Sequence, residues 1–167
     1  MIFNYPQTAE ELHVLISPYK CHSILELGCG TGYLAPFLIE KGYLYTGLDI
    51  SNAMLEIARN RHPEIKFILN DMRNFNFEML FDAIISSGRG FCHLIQNDDV
   101  FAALNCIYKA LKPGGIVFVD NFDATSLFSN FSPINEFTYE IDTEIYKRIG
   151  KCRKVCQSGW KIGRAHV

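Results

Sequence analysis

The sequence predicts an α/β fold with an open, mainly parallel sheet and helices on both of its faces. Short apolar runs rich in β-branched residues alternate with longer amphipathic segments, which is the pattern of successive β-α-β units. The runs contain few polar residues, as expected for strands that are covered on both faces. A length of 167 residues with 49% apolar and 13% aromatic residues suits one globular domain with a substantial core.

The apolar runs predict five parallel strands followed by a small antiparallel excursion. In chain order the five strands cover Ser23 to Leu27, Leu44 to Ile50, Ile65 to Leu69, Phe81 to Ser86 and Gly115 to Asn121. Beyond Asp123 the alternation of strands and helices stops. Residues 137–142 alternate apolar and polar side chains, and with residues 144–149 they predict two half-buried antiparallel strands.

The segments between the strands carry helix start and stop signals. Thr8 followed by Glu11 predicts a capping box for the first helix, and Ser51 predicts the start of another. Asp98 or Asn97 predicts the start of the helix before the fifth strand. The Lys-Pro-Gly-Gly run that follows this helix predicts its end.

Composition argues against several classes of protein. No apolar run approaches the roughly 18 residues that span a bilayer, and the first residues do not resemble a secretory signal, so we expect a cytoplasmic protein without membrane contact. Six scattered cysteines without paired C-x-x-C spacing predict reduced thiols and no metal site. The net charge is −2, and all 18 acidic residues precede Tyr146, after which basic residues cluster. We interpret this cluster as a solvated charged strand, not as a nucleic-acid surface.

The residues that point to chemistry form a glycine-rich turn after the first strand. The run Glu-Leu-Gly-Cys-Gly-Thr-Gly, residues 26–32, leads from an apolar strand into a helix. Alternate glycines let a ligand touch the backbone, and N–H groups at the helix start attract anionic groups, as in Rossmann-type nucleotide loops. Asp49 follows Gly28 by 21 positions, near the spacing of about 20 for an acid that binds ribose hydroxyls. After the third strand, Asp71 can accept from an adenine amino group while Met72 lies on the ring.

Taken together and in order, these motifs resemble those of class I S-adenosylmethionine-dependent methyltransferases. The resemblance rests on the glycine-rich turn, Asp49, Asp71 and the Leu-Lys-Pro-Gly-Gly run before the fifth strand, and it covers residues 20–122. It implies a Rossmann-like sheet, S-adenosylmethionine as the methyl donor and a small-molecule methyl acceptor. The oligomeric state is not predicted.

The resemblance also implies roles for single residues. Glu26 would orient the amino group of the methionine part, Asp49 would hold the ribose, and Asp71 and Met72 would contact adenine. Ser86, with Ser87, would face the methionine end and the acceptor. The residues expected to bind the cofactor are Glu26, Gly28, Cys29, Gly30, Gly32, Asp49, Ile50, Asp71, Met72 and Ser86.

Each polar assignment has a structural alternative. Glu26 could cap a helix or pair with a cation, Asp49 could cap the helix near Ser51, and Asp71 could cap a short turn. Met72 could be an ordinary core residue.

Methyl transfer from a sulfonium donor needs a nucleophile aligned opposite the sulfur, with the reacting atoms about 3 to 3.5 Å apart. It does not need a dedicated base. For an acceptor that must lose a proton, the candidates near the carboxyl ends of the strands are His93, Asp120 and Asp123. Arg89 is a candidate for holding an acidic acceptor, and Tyr5 for closing over the donor. A surface arginine and a core-facing histidine are the structural alternatives for this loop.

Two other functions share the glycine-rich turn. An NAD-dependent oxidoreductase is one alternative, although its fingerprint is G-x-G-x-x-G and this turn reads G-x-G-x-G. A catalytically silent cofactor-binding module is the other.

We expect residues 1–160 to form a single domain that is incomplete at its C-terminus. Its parts are an N-terminal helix in residues 1–19, a cofactor-binding core in residues 20–122 and the excursion in residues 123–160. The last six residues are the translation of ATC GGA AGA GCA CAC GTC, which occurs in a common sequencing adapter, so we expect a non-native tail at residues 161–167. The closing strands of the sheet would then be missing, and the chain would transfer methyl groups poorly.

Overall fold

The structure, a computed structural model, describes residues 4–120, 134–141 and 144–151, the last two ranges as backbone. The chain divides into two compact units, residues 2–121 and residues 122–167. Asn121, Asp123 and the expected tail at residues 161–167 lie outside the described residues.

The first unit contains a five-stranded, all-parallel sheet. Its strands are β1 (Ser23–Leu27), β2 (Leu44–Asp49), β3 (Lys66–Leu69), β4 (Phe81–Ser86) and β5 (Leu111–Val119). They lie in the order β3-β2-β1-β4-β5. The predicted open parallel sheet is therefore confirmed. The strand order reverses between β1 and β4, and ligands of open parallel sheets bind at the carboxyl ends of the strands beside such a reversal.

Helices cover both faces of this sheet, as predicted. They are α1 (Tyr5–Ile16), α2 (Ala35–Glu40), α3 (Asn52–Arg61) and α4 (Asn97–Ala110), with short 3-10 helices at Ser17–Tyr19 and Gly90–His93. Buried side chains of α1, α2 and α3 share one core cluster with Ile24, and those of α4 share a second cluster with Leu25. Successive residues of a strand point to opposite faces, so the two clusters lie on opposite sides of the sheet.

Two of the predicted helix starts are wrong. Asn4, and not Thr8, caps α1, because its side chain accepts a hydrogen bond from the backbone N–H of Gln7 at 3.1 Å. Helix α4 begins after Gln96 without any side-chain cap. Ser51 does cap α3 by accepting from the N–H of Met54. A cap depends on the backbone geometry of the preceding residue, which residue type alone does not determine.

The Lys-Pro-Gly-Gly run forms an irregularity at the start of β5. Phe81 pairs with Leu111, but Ala83 already pairs with Ile116, so the register shifts across residues 112–115. Gly114 takes a positive φ of 79° inside this irregularity. The run predicted as a turn before the strand therefore lies within β5, and regular pairing with β4 begins after it, at Ile116.

The second unit contains the predicted antiparallel pair. Strands β6 (Ile134–Ile141) and β7 (Glu144–Lys151) are antiparallel, with Ile134 opposite Lys151 and Ile141 opposite Glu144. Among the helices of the described ranges, none is long and apolar enough to cross a membrane.

Candidate cofactor-binding site

The glycine-rich turn lies at the carboxyl end of β1 and is fastened to β2. The backbone N–H groups of Gly28 and Cys29 both donate to the carbonyl oxygen of Leu48, at 2.7 and 3.1 Å. Gly28 and Gly30 have positive φ angles of 77° and 56°. A Cβ added at Gly30 would meet nothing within 4 Å. The backbone at Gly30 therefore borders open space, as a ligand-binding turn requires.

Gly32 has a different reason to be glycine. A Cβ at this position would fall 2.7 Å from Cζ of Phe67 and 3.2 Å from Cβ of Ala58. Phe67 lies in β3 and Ala58 in α3, so this glycine lets the turn pack tightly against its own core. Packing against Phe67 and Ala58 therefore explains the glycine at position 32 without a ligand.

Asp49 points into the glycine-rich turn from the end of β2. One carboxylate oxygen accepts from the N–H of Gly30 and the other from the N–H of Ser51, both at 2.8 Å. Each oxygen of a carboxylate can accept a second hydrogen bond, so Asp49 can still receive two hydroxyl groups. Ile50 follows it and is exposed.

Glu26 is buried beside this turn, with 3% of its surface exposed. Its two oxygens accept hydrogen bonds from the hydroxyls of Tyr45 and Ser87, each at 2.5 Å. Burial raises the pKa of Glu26 to about 7, the hydrogen bonds from Ser87 and Tyr45 oppose that rise, and the carboxylates of Asp49 and Asp120 add to it. Glu26 neither caps a helix nor pairs with a cation among these partners.

Asp71 lies after β3 and is held by Arg73. It accepts from the backbone N–H of Arg73 at 2.9 Å and pairs with its guanidinium, which also reaches Asp99 at 3.0 Å. The hydrogen bonds from Arg73 hold the pKa of Asp71 below its usual range. The turn-capping interpretation of this residue is therefore correct, although the carboxylate oxygens can accept further bonds. Met72 beside it lies over the glycine-rich turn, its Cε 3.7 Å from where a Cβ of Gly28 would be.

The loop after β4 forms the opposite wall of the turn. A Cβ at Gly90 would lie 3.6 Å from Cα of Gly28, so the two backbones approach closely. Ser86 is fully buried, and its hydroxyl donates to the carbonyl oxygen of Leu27 at 3.1 Å. The next residue, Ser87, donates its hydroxyl to Glu26 at 2.5 Å.

Three of the candidates for the acceptor side, Asp120, Arg89 and His93, lie in the loop after β4 or beside it. Asp120 accepts from the backbone N–H of Arg89 at 2.8 Å and donates its own N–H to Ser86. It therefore holds the loop, in which Arg89 adopts a left-handed φ of 67°. The side chains of Arg89 and His93 are exposed, which contradicts the core-facing alternative for the histidine.

Sequence reasoning named Tyr5 but missed its partners Tyr33 and Arg61, which border the turn. Tyr5 stacks on Tyr33 with ring centroids 5.1 Å apart, and Arg61 lies over the Tyr33 ring at 3.8 Å. Arg61 also donates to the carbonyl oxygen of Thr31 inside the turn, at 3.1 Å. Tyr45 was missed too. The available signal was a tyrosine within an otherwise apolar strand, because a buried hydroxyl requires a partner.

Comparison with known proteins identifies the family of the chain. Residues 24–115, more than half of the chain, match the methyltransferase domain family. The putative methyltransferase YqeM of Bacillus subtilis is 36% identical over 101 residues, which cover 58% of this chain and 41% of that protein. The dTDP-3-amino-3,6-dideoxy-alpha-D-glucopyranose N,N-dimethyltransferase of Streptomyces fradiae is 31% identical over 119 residues, covering 70% of this chain and 47% of that protein.

A solved structure extends the likeness to the fold. The crystal structure of Streptomyces venezuelae DesVI superposes with a TM-score of 0.80 at 25% identity, covering 90% of this chain and 64% of that chain. The chain spans less than half the length of the two curated relatives named above. The motifs, the strand order, the glycine-rich turn and the family match agree, and the chain belongs to the methyltransferase domain family.

Proposed function

We propose that the chain binds S-adenosylmethionine at the glycine-rich turn and is part of an enzyme that methylates an amino group of a small molecule. The observation that carries the proposal is that two acids meet at this turn, Glu26 from β1 itself and Asp49 from the end of the neighbouring strand β2. Support for an amine acceptor comes from the Streptomyces fradiae relative, whose name describes N,N-dimethylation of an amino sugar.

The residues present fit the donor. Open space at Gly30, free acceptor positions on Asp49 and a buried acid suit a nucleoside that carries two positive charges, on its sulfur and on its amino group. The carboxylates that act most strongly on Glu26 are those of Asp49 and Asp120, so its surroundings are acidic. A cationic ligand is electrostatically complementary to such a site.

The chain's own residues bind and orient the methyl donor. Asp49 holds the ribose hydroxyls, Glu26 holds the ammonium group, and Met72 covers one side of the turn. The chemistry that the bound donor supplies is a methyl group on a sulfonium, with a neutral thioether as its leaving group. The loop that begins at Ser87 borders the methionine end, and Arg89 and His93 are exposed on it for contact with the acceptor.

An amine acceptor does not require a dedicated base. Asp120 accepts a hydrogen bond from the backbone N–H of Arg89, and His93 is exposed in the same loop. A neutral amine has its own lone pair, and proximity and alignment provide most of the acceleration. The NAD-dependent alternative is not favoured, because the chain belongs to the methyltransferase domain family.

Two measurements test the proposal. Calorimetric titration of the chain with S-adenosylhomocysteine and with NAD should show binding of the first ligand only. A screen of amino sugars, amino acids and carboxylic acids with radiolabelled S-adenosylmethionine should label the amines. NAD binding alone would contradict the donor assignment, labelling only of carboxylic acids would contradict the acceptor class, and donor binding without any labelling would favour the silent module.

A further inference from the structure

Tyr45 carries a hydroxyl that its packing does not require. The side chain lies in β2, 7% exposed, and its ring meets Phe67 edge-on with centroids 6.4 Å apart. A phenylalanine would fill the same space. The hydroxyl is buried and donates to Glu26, so its desolvation is offset by that one bond.

Glu26 is held from both neighbouring strands. Tyr45 of β2 bonds one oxygen, and Ser87 at the end of β4 bonds the other. Gly47 is the residue of β2 directly opposite Glu26, and a Cβ there would strike Sγ of Cys29 at 2.8 Å. Because no side chain stands between them, Tyr45 reaches the carboxylate from two residues earlier in the strand. Two donors from opposite sides fix the plane of the carboxyl group.

We propose that Tyr45 and Ser87 are positioning residues that hold Glu26 for the ammonium group of the donor, and that donor binding displaces a proton from Glu26 to solvent. This inference rests on the proposed function, because it specifies how the same site recognises the donor. It adds two residues and a proton to that site.

The groups around Glu26 explain why a proton is involved. Burial has the largest effect and raises its pKa to about 7. The ionisable or polar groups that face it or its immediate neighbours come from every element packed here: Tyr5 of α1, Cys29 of the glycine-rich turn, Tyr45 and Asp49 of β2, Arg59 and Arg61 of α3, Ser87 after β4 and Asp120 after β5. The two arginines act on Cys29 and Tyr5, whereas the charges that act most on Glu26 itself are acidic.

No salt bridge reaches Glu26 from residues 4–120, and an ammonium ligand would supply such a cation. It favours the ionised carboxylate, so binding shifts the proton equilibrium. Below the pKa of free Glu26, part of the binding energy is used to remove the proton, and affinity falls by up to about tenfold per pH unit. Above it, affinity is independent of this group.

The test is a titration of the full chain with two matched ligands. S-adenosylhomocysteine carries the ammonium group, and its deamino analogue differs only in lacking it. Calorimetry from about pH 5.5 to about pH 8.5 should show affinity for S-adenosylhomocysteine rising until about pH 7 and then levelling off. Affinity for the deamino analogue should change by less than about twofold over the same range.

Variants separate positioning from packing. Y45F keeps the ring and removes the hydroxyl, so we expect about tenfold weaker binding of S-adenosylhomocysteine and a levelling-off about one pH unit higher. S87A should shift the profile in the same direction. Y43F is the matched control, because the Tyr43 hydroxyl bonds His13 at 2.9 Å and not Glu26. Y43F should bind S-adenosylhomocysteine with the affinity and pH profile of the wild-type chain. Y45F should bind the deamino analogue with wild-type affinity.

Three results would overturn the inference. The first is that Y45F and S87A both bind S-adenosylhomocysteine with the same affinity and pH dependence as the wild-type chain. The second is an equal pH dependence for the two ligands in the wild-type chain. The third is failure of both ligands to bind the wild-type chain, which would also remove the donor site on which the inference rests. Thermal melting of each variant confirms that it is folded.

Discussion

One carboxylate oxygen of Asp49 accepts a hydrogen bond from the backbone N–H of Gly30 at 2.8 Å. The acid that ends β2 is therefore attached to the turn that follows β1. The other oxygen accepts from Ser51 at the start of α3. A single side chain thus links the glycine-rich turn to the start of α3.

Replacing Asp49 should weaken donor binding through the ribose. In D49N the charge is lost and one oxygen becomes an amide nitrogen that cannot accept, so we expect affinity for S-adenosylhomocysteine to fall about 10- to 100-fold. The deamino analogue should lose as much, since it has the same ribose. D98N, at an exposed position of α4, is the control. Unchanged affinity in D49N would place the ribose elsewhere.

Gly32 and Gly42 provide a matched pair for the packing of the turn. Both have positive φ angles, 71° and 91°, but a Cβ would strike Phe67 at Gly32 and meet nothing within 4 Å at Gly42. G42A should cost about 1 kcal/mol of unfolding free energy from backbone strain alone. G32A should cost about 1–3 kcal/mol more, because the aromatic ring must move. Urea denaturation measures both, and equal losses would contradict the clash.

Glu26 should make the ligand-free chain less stable at higher pH. Its pKa is raised from 4.5 to about 7 in the folded chain, so between these values the folded state binds more protons than the unfolded state. The free energy of unfolding therefore falls as pH rises through this window. E26Q should remove this slope and be about 1–3 kcal/mol more stable than wild type at about pH 8, while binding S-adenosylhomocysteine more weakly. Parallel pH profiles of unfolding for the two chains would disprove this.

Asp82 should have the opposite pH behaviour, at the other end of the sheet. Burial alone would raise its pKa, but hydrogen bonds from Lys112, from the hydroxyl and N–H of Ser23 and from the N–H of His22 hold the pKa well below its usual range. This stabilisation is present above the unfolded value of about 3.9 and is lost as pH falls below it. D82N should cost about 1–3 kcal/mol at neutral pH.

The control for D82N is ligand affinity. Asp82 bonds the first residue of β1, so it lies at the amino end of that strand, opposite the glycine-rich turn. Donor affinity should therefore stay within about twofold of wild type, provided that the measurement is made where the variant is folded. A loss as large as that of D49N would mean that the fold at the turn depends on this distant end.

The strands were the part of the fold that could be predicted most closely. Ser23–Leu27 and Phe81–Ser86 have the predicted bounds, and the other three differ by a few residues at their ends. Strands buried on both faces leave an uninterrupted apolar signal. The caps of α1 and α4 could not be predicted, because several adjacent residues were chemically able to cap and only backbone geometry chose Asn4 and Gln96.

The candidate site, too, was predictable in some residues and not in others. Asp49 was placed from its spacing to the glycines, because a β-α-β unit has a nearly constant length. Asp71 is engaged by Arg73, and Ser86 turns to a backbone carbonyl while Ser87 reaches Glu26. Neighbouring side chains in a loop can exchange such roles without any change in the residue types.

By itself, the sequence determined the open parallel sheet, the glycine-rich turn and the acid that bonds it, since these depend on local patterns and on the chain lengths between them. Only the tertiary structure decided that Glu26 is shared by Tyr45 and Ser87. Glu26 belongs to β1, Tyr45 to β2, and Ser87 follows β4. Their contact, and the rise in the pKa of Glu26 that burial causes, exist only once the strands lie side by side.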